Sequence, residues 1–260
     1  MTRLSLVLFS LVLFGILKFP MERAIGANQR QLHLERVDFN LGLREKIGQF
    51  SFIAALSGFR SVIADALFVK AHVAWEQTDW GSVLFLFQQV TTLQPRSVLF
   101  WDMAAWHMAW NAATAALNDS KEPRFALRLK AQREYLELGK DFLSRGIKNN
   151  PDRSELYEAM ARLYRDKCQD HKKAAEFFDK AADQPGAPSY AKRFAAYELA
   201  ECQGDEIEAY ERLHKLYLMG ENERLPTLIR YLHELEIKLS IPDGQRIDQD
   251  SECQIVAIVK

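Results

Sequence analysis

Residues 151–185 decide the fold, and they read PDRSELYEAMARLYRDKCQDHKKAAEFFDKAADQP. Small and aromatic residues recur there at helical spacing, in the motifs Tyr157-x2-Met160-Ala161-x2-Tyr164 and Ala174-x3-Phe178-x2-Ala181, followed by Pro185. Small side chains let two helices approach closely, and aromatic side chains fill the gap between them. Proline ends the second helix because it cannot continue one. The stretch therefore predicts a pair of packed helices.

The same arrangement recurs less closely on both sides of this pair. The weaker matches are Leu67-x2-Lys70-Ala71-x2-Ala74 with Val83-x3-Phe87-x2-Val90 and Pro95, then Trp101-x2-Ala104-Ala105-x2-Met108 with Asn149-Asn150-Pro151, and finally Ala195-Ala196-x2-Leu199 with Ala209-x3-Leu213-x2-Leu216. The second repeat is longer than the others. It predicts helices over residues 97–117 and 125–148, separated by a turn at residues 118–123. The long pair either projects toward a partner or merely packs.

From residue 64 to residue 220 the chain resembles the tetratricopeptide-repeat superfamily, whose unit is a helix pair of about 34 residues. No repeat has the glycine of that pattern. Residues 57–80 and 93–96 also resemble membrane-associated repeat proteins of bacteria that have no assigned activity. The resemblance implies an all-α, right-handed superhelical solenoid of helix pairs, which binds other proteins.

In that superfamily the positions two, five, nine and twelve of each first helix line a concave groove. On this chain they are Asp65, Phe68, His72 and Trp75, then Leu99, Asp102, Trp106 and Ala109 with Trp110 adjacent, then Glu155, Glu158, Arg162 and Arg165, and then Tyr190, Arg193, Tyr197 and Ala200. Aromatic residues in a concave surface are typical anchors for a partner peptide. The candidate partner-binding residues are Phe68, His72, Trp75, Trp106, Trp110, Arg162, Arg165, Tyr190, Arg193 and Tyr197. Alternatively, the tryptophans pack against a helix over residues 52–66.

Residues 1–20 are the second informative part of the sequence, because residues 4–17 are an unbroken run of apolar and small residues. The run is just short of a full membrane span. A small-residue cleavage site is poorly spaced, because Lys18, Glu22 and Arg23 precede the cluster at residues 24–27. An uncleaved membrane anchor is favoured over a cleaved signal and over a buried soluble helix. We expect a membrane-anchored protein whose body is periplasmic or extracellular.

The remaining parts of the chain are assigned relative to the repeats and the N-terminal apolar segment. Residues 21–63 form a linker and helix, and residues 52–69 read as a soluble helix because Arg60 and Asp65 are costly in lipid. Residues 64–220 form the repeats and residues 221–240 a capping helix, with apolar residues recurring over 223–239. Residues 241–260 form a tail whose end could be a short strand.

Composition and motifs exclude several function classes. The formal net charge of −1 argues against nucleic acid as a partner. The three cysteines form no C-x-x-C pair, and Cys168 and Cys202 should remain unbonded because helices pack about 8–10 Å apart. His72 and His107 could approach each other but lack a further metal ligand, and Asp243, Asp248 and Asp250 lack the order of a calcium loop. We expect no catalytic site, no cofactor and no metal.

The favoured function is a membrane-tethered scaffold that binds a protein or peptide in its groove and serves in envelope assembly or secretion. One alternative is a structural or accessory subunit of a membrane complex whose groove is filled by residues 29–49 of the same chain. A hydrolase would need the set Glu155, Glu158, Arg162 and Arg165. At i,i+3 and i,i+4 spacing such a set is a common surface arrangement.

Overall fold

The computed structural model describes residues 58–247, and every regular element in that range is helical. The α-helices are α1 (Arg60–Glu76), α2 (Trp80–Leu93), α3 (Val98–Trp106), α4 (Ala113–Leu117), α5 (Phe125–Asn149), α6 (Ser154–Leu163), α7 (His171–Ala182), α8 (Tyr190–Ala200), α9 (Glu206–Leu218) and α10 (Pro226–Lys238). Short 3-10 helices follow at Glu221–Glu223 and Asp243–Gln245. The prediction of an all-α chain is confirmed for these residues.

Two short π-helical segments, here called π-turns, interrupt the α-helical geometry. The first π-turn, His107–Ala112, joins α3 to α4, so that residues 98–117 form one continuous helix. The second π-turn, Tyr164–Cys168, extends α6 and ends at Gln169, which has a left-handed backbone conformation. A π-turn inserts one extra residue into a helix and is found frequently at functional sites.

The helices pack mainly on their neighbours in the chain. α1 packs on α2, the helix over residues 98–117 on α5, and α6 on α7, while α7, α8, α9 and α10 follow one another in the same way. The helices that precede Pro95, Pro151 and Pro185 end two or three residues before each proline. The predicted stops are therefore confirmed, and so is the turn at residues 118–123.

The small and aromatic residues of the repeats form the core between these helices. In the third pair Ala161, Ala174, Phe178 and Ala181 are buried, and Phe178 contacts the ring of Phe194 edge-on at 5.4 Å. Towards the end of the chain the leucines of α9 and α10 close a second cluster with α8. Apolar burial of this kind supplies most of the stability of helical packing.

In the second pair, two glycines of α5 lie very close to the facing helix. A Cβ added at Gly139 would lie 2.8 Å from the Cβ of Ala109, and one at Gly146 would lie 2.9 Å from the Cβ of Trp101. Asn150 then closes the pair, since its side-chain amide donates to the Pro95 carbonyl oxygen at 2.9 Å. Glycine is thus required inside α5 for packing, although it is unfavourable in a helix interior.

Two predicted helix boundaries need correction. A continuous helix over residues 52–69 is wrong, because Gly58 has a φ of +78° and α1 begins only at Arg60. The capping helix begins at Pro226 rather than residue 223, since proline is favoured in the first turn, where its missing N–H costs nothing. The predicted anchor over residues 1–20, nearly all of the linker and the tail after residue 247 lie outside the described residues. Within residues 58–247 no helix is both long and apolar enough to cross a bilayer.

Candidate functional site

The main concave feature near the predicted groove is a cleft at the ends of three successive first helices. It has a volume of about 540 Å³ and opens to solvent. We call it the tryptophan cleft, and it is lined by Trp75, Trp80, Trp106, Trp110, Asn111, Thr114, Ala115, Asn118 and Lys167. Four indole rings therefore converge on one surface. Trp75, Trp106 and Trp110 belong to the predicted site, whereas Trp80 does not.

The helix over residues 98–117 presents Trp106 and Trp110 to the cleft. Ala109 was expected at a groove position from the superfamily pattern, but it is fully buried, against Gly139 of α5. Trp110 lies four residues after Trp106, so the two indoles share one side of the helix and both line the cleft. The assignment of Ala109 is thus wrong, and Trp110 fills the wall with a large ring instead.

His107 lies beneath the indoles and contacts three aromatic rings. The centroid of its ring is 5.5 Å from that of Trp75, 5.0 Å from that of Trp106 and 5.3 Å from that of Phe87. The side-chain amide nitrogen of Asn111 lies 3.2 Å from Nδ1 and donates to it when the neutral imidazole carries its proton on Nε2. Burial, with a smaller contribution from the charge of nearby His72, lowers the pKa of His107 to about 4. His107 therefore contributes shape to the cleft and no charge at neutral pH.

The surroundings of His72 do not favour the metal hypothesis. His72 is exposed, with its Nε2 3.7 Å from the Glu76 carboxylate and its ring 4.9 Å from that of Trp75. Throughout residues 58–247, no group of three or more histidine, cysteine or acidic residues is placed to hold a metal ion. Metal ligation would require such a group.

Two tryptophans on α3 have opposite environments. Trp101 is only 2% exposed, and its indole N–H donates to the Pro95 carbonyl oxygen at 2.9 Å. Trp106 lies five residues further along the same helix and on another side of it, where it is 40% exposed. A large exposed indole is unusual for a residue whose role is core packing. Phe68, by contrast, is half-buried and packs between Phe87 and Phe100 at 5.9 and 5.3 Å.

Lys167 brings a cation to the cleft from the second π-turn. Its ammonium lies 5.6 Å from the centroid of the Trp110 ring, within the range of a cation–π contact. No ion pair to Lys167 is formed by any residue between 58 and 247. Sequence reasoning missed this residue, because nothing in the spacing of residues 155–168 signals a π-turn.

The C-terminal half of the predicted groove consists of paired side chains. Glu158 is buried, accepts a hydrogen bond from the Tyr190 hydroxyl at 2.8 Å and lies 3.9 Å from the Arg162 guanidinium. Burial raises the pKa of Asp102, which the charge of Arg162 partly offsets. The bond from Tyr190 to Glu158 joins the first helices α6 and α8, while Arg162 remains partly exposed beside Glu158 on α6.

The two arginines among the other predicted residues of this half form ion pairs, whereas Tyr197 contacts a neighbouring ring and its buried hydroxyl has no hydrogen-bond partner within residues 58–247. Arg165 lies 2.7 Å from Asp166 and 3.8 Å from Glu198. Arg193 forms an ion pair with Glu223, and Tyr197 is buried with its ring stacked on Tyr231 at 4.9 Å.

The four residues proposed for a hydrolase do not converge. Glu155 is exposed and pairs with Arg153 at 2.8 Å, while Glu158 and Arg165 have separate partners. A catalytic carboxylate pair would need both groups to face one substrate position. Cys168 and Cys202 are free thiols, as predicted; burial raises the pKa of Cys202, the opposite of what an activated thiol requires.

The chain matches no protein-family model, and no curated protein shows a significant sequence match.

Proposed function

We propose that the protein is a membrane-tethered scaffold of tetratricopeptide-like helix pairs, a right-handed superhelical solenoid that binds a segment of a partner protein in the tryptophan cleft. In this proposal residues 1–20 anchor the chain and the body is periplasmic or extracellular. The partner acts in envelope assembly or secretion. No cofactor, metal or nucleic acid takes part.

The packing order of the helices supports the scaffold. Each helix contacts chiefly its neighbours in the chain, which is the arrangement of repeat arrays. The signature positions of the third pair, Ala161, Ala174, Phe178 and Ala181, are all buried between helices, as the superfamily pattern requires. Pairs of helices that end before prolines recur three times.

The observation that carries the binding role is the exposure of Trp106 in a cleft formed by four indoles. Monomeric proteins rarely expose contiguous aromatic surface unless it binds something. Tryptophan is enriched among the residues that dominate binding energy at protein interfaces. In the C-terminal half Tyr190 is also exposed, at 37%, but its hydroxyl is bonded to Glu158 and four indoles come together only in the cleft among the described residues, so the cleft is the part of the groove most suited to a partner.

One experiment separates the binding role from a packing role. The detergent-solubilised full chain is used to recover partners from its own cells, for the wild type, Trp106→Ala and Ile207→Ala. Ile207 lies on α9 and is 64% exposed, but is neither a predicted groove position nor part of the cleft, so Ile207→Ala is the matched control. Trp101→Ala provides the reference for loss of a core ring, about 3–5 kcal/mol of stability.

We expect Trp106→Ala to lose a protein that both the wild type and Ile207→Ala retain, with binding weakened by about 2 kcal/mol or more. Its melting temperature should stay close to that of the wild type. A drop in melting temperature comparable to that of Trp101→Ala would show that Trp106 is core. Unchanged recovery of every partner would likewise refute the proposed site.

A further inference from the structure

The charge of the tryptophan cleft is unbalanced. Among the nine residues that line it in the described part of the chain, Lys167 is the only one with a formal charge at neutral pH, and none is acidic. His107 beneath the cleft is neutral because burial lowers its pKa to about 4. The cleft therefore combines an apolar aromatic surface with a single positive charge.

Lys167 differs in this respect from the arginines of the predicted groove. Arg162, Arg165 and Arg193 each lie within 4 Å of a carboxylate of the chain. Lys167 forms no such pair with any residue in the range 58–247, and its ammonium rests on the Trp110 ring instead. An aromatic face attracts a cation but does not neutralise it.

A ligand that covers the Trp110 ring must therefore displace the Lys167 ammonium from the ring and compensate its charge. Removing an ammonium from water without providing an anion is costly. The side chain has a flexible four-carbon stem, so the ammonium can leave the ring and remain at the edge of the cleft. A ligand with a carboxylate at that edge compensates the charge, while its apolar part takes the place of the ammonium on the indole.

We infer that the tryptophan cleft binds a peptide segment in which an acidic side chain lies beside a large apolar one, with Lys167 binding the carboxylate and the indoles of Trp106 and Trp110 the apolar group. This inference rests on the proposed function and specifies its partner. Asn111, Asn118 and Thr114 supply neutral polar groups on the same surface, which suit the backbone amides of a peptide. The two π-turns build the site together, since the first carries Trp110 and the second Lys167.

The test is selection from a displayed library of random twelve-residue peptides, with the full chain in detergent as bait. The baits are the wild type, Trp106→Ala, Lys167→Gln and Lys180→Gln. Lys180 is the matched control, because its ammonium lies 4.5 Å from the Phe177 ring on α7, away from the cleft. One selected peptide and its version with the acid changed to the amide are then titrated, with tryptophan fluorescence as the signal.

We expect the wild type and Lys180→Gln to enrich peptides with an aspartate or glutamate next to a phenylalanine, leucine or tryptophan. Replacing that acid by its amide should weaken binding about fivefold at low salt, as expected for one partly exposed ion pair. The difference should shrink as salt is added. With Lys167→Gln the acidic and amide peptides should bind equally well.

The outcomes distinguish failure of the proposed function from failure of the inference about the ligand. Enrichment that Trp106→Ala leaves unchanged overturns the proposed function itself. Enrichment that depends on Trp106 but shows no acidic preference, or keeps that preference with Lys167→Gln, overturns only the inference. Vesicles of phosphatidylserine and phosphatidylcholine form a parallel arm. Lys167-dependent binding to them without peptide selection would identify a lipid headgroup instead and would also overturn the inference.

Discussion

Substituting Gly139 by alanine tests the helix packing that shapes the cleft. Gly139 is buried on α5, where an added Cβ would lie 2.8 Å from the Cβ of Ala109 and 3.2 Å from the Ala105 carbonyl oxygen. Carbon atoms pack favourably at about 3.5–4.0 Å. The added methyl group therefore forces α5 away from the helix over residues 98–117 by roughly 1 Å. Neither neighbour is the end of a flexible side chain that could swing aside.

The expected energy combines two opposing effects. Alanine is favoured over glycine in a helix interior by about 0.5–1 kcal/mol. Overpacking a well-packed interior costs about 1–3 kcal/mol. Because the contact involves a Cβ and a backbone carbonyl, the upper part of that range applies, and the net loss of stability is about 1–2 kcal/mol. For a domain of this size that corresponds to a melting temperature lower by about 2–8 °C.

Urea unfolding followed by circular dichroism measures the effect in a double-mutant cycle of Gly139→Ala and Ala109→Gly. In the double variant the contact at 2.8 Å is absent, so the two changes should destabilise less together than their sum, by about 1 kcal/mol or more. Ser144→Ala on the exposed face of α5 is the control for helix propensity. Stabilisation by Gly139→Ala to the extent seen for Ser144→Ala, with no coupling, would refute the close approach.

Two further predictions concern the pH response and the tether. Because the pKa of His107 is about 4 in the folded protein and about 6.5 when unfolded, stability is full above pH 6.5 and falls as the pH drops, by about 3 kcal/mol near pH 4. The stability of His107→Gln, measured by denaturant unfolding at several pH values, should fall less between pH 6.5 and pH 4 than that of the wild type. An equal fall in both proteins would contradict the assignment. For the tether, carbonate washing should leave the protein in the membrane fraction. A soluble form that starts near Ala27 or Asn28 on N-terminal sequencing would show cleavage instead.

The helices could be predicted from the sequence because their signals are local. Periodic apolar positions and the turn residues at 118–123 placed the helices at residues 97–117 and 125–148 to within about one residue of the structure. The prolines after α2, α5 and α7 marked helix ends for the same reason. Burial of the small and aromatic residues in the third pair also followed, since their spacing defines one helix face.

The composition of the site was only partly accessible in this way. The crowding of all five tryptophans between residues 75 and 110 indicated an aromatic surface, and Trp75, Trp106 and Trp110 do line the cleft. The superfamily positions, however, place Ala109 in the groove, whereas Ala109 packs on Gly139 and Trp110 lines the cleft. They also leave out Lys167, which lies in the second π-turn.

Both π-turns of the described residues lie at the tryptophan cleft, since the first carries Trp110 and the second carries Lys167. Within the first, Ala109 packs against Gly139 while Trp110 lines the cleft. Glycine in α5 permits this close approach of the two helices. These two departures from α-helical geometry in residues 58–247 thus occur beside the indoles of the cleft, and π-turns are found frequently at functional sites. This is why we propose that surface, rather than the regular helix pairs, as the binding site.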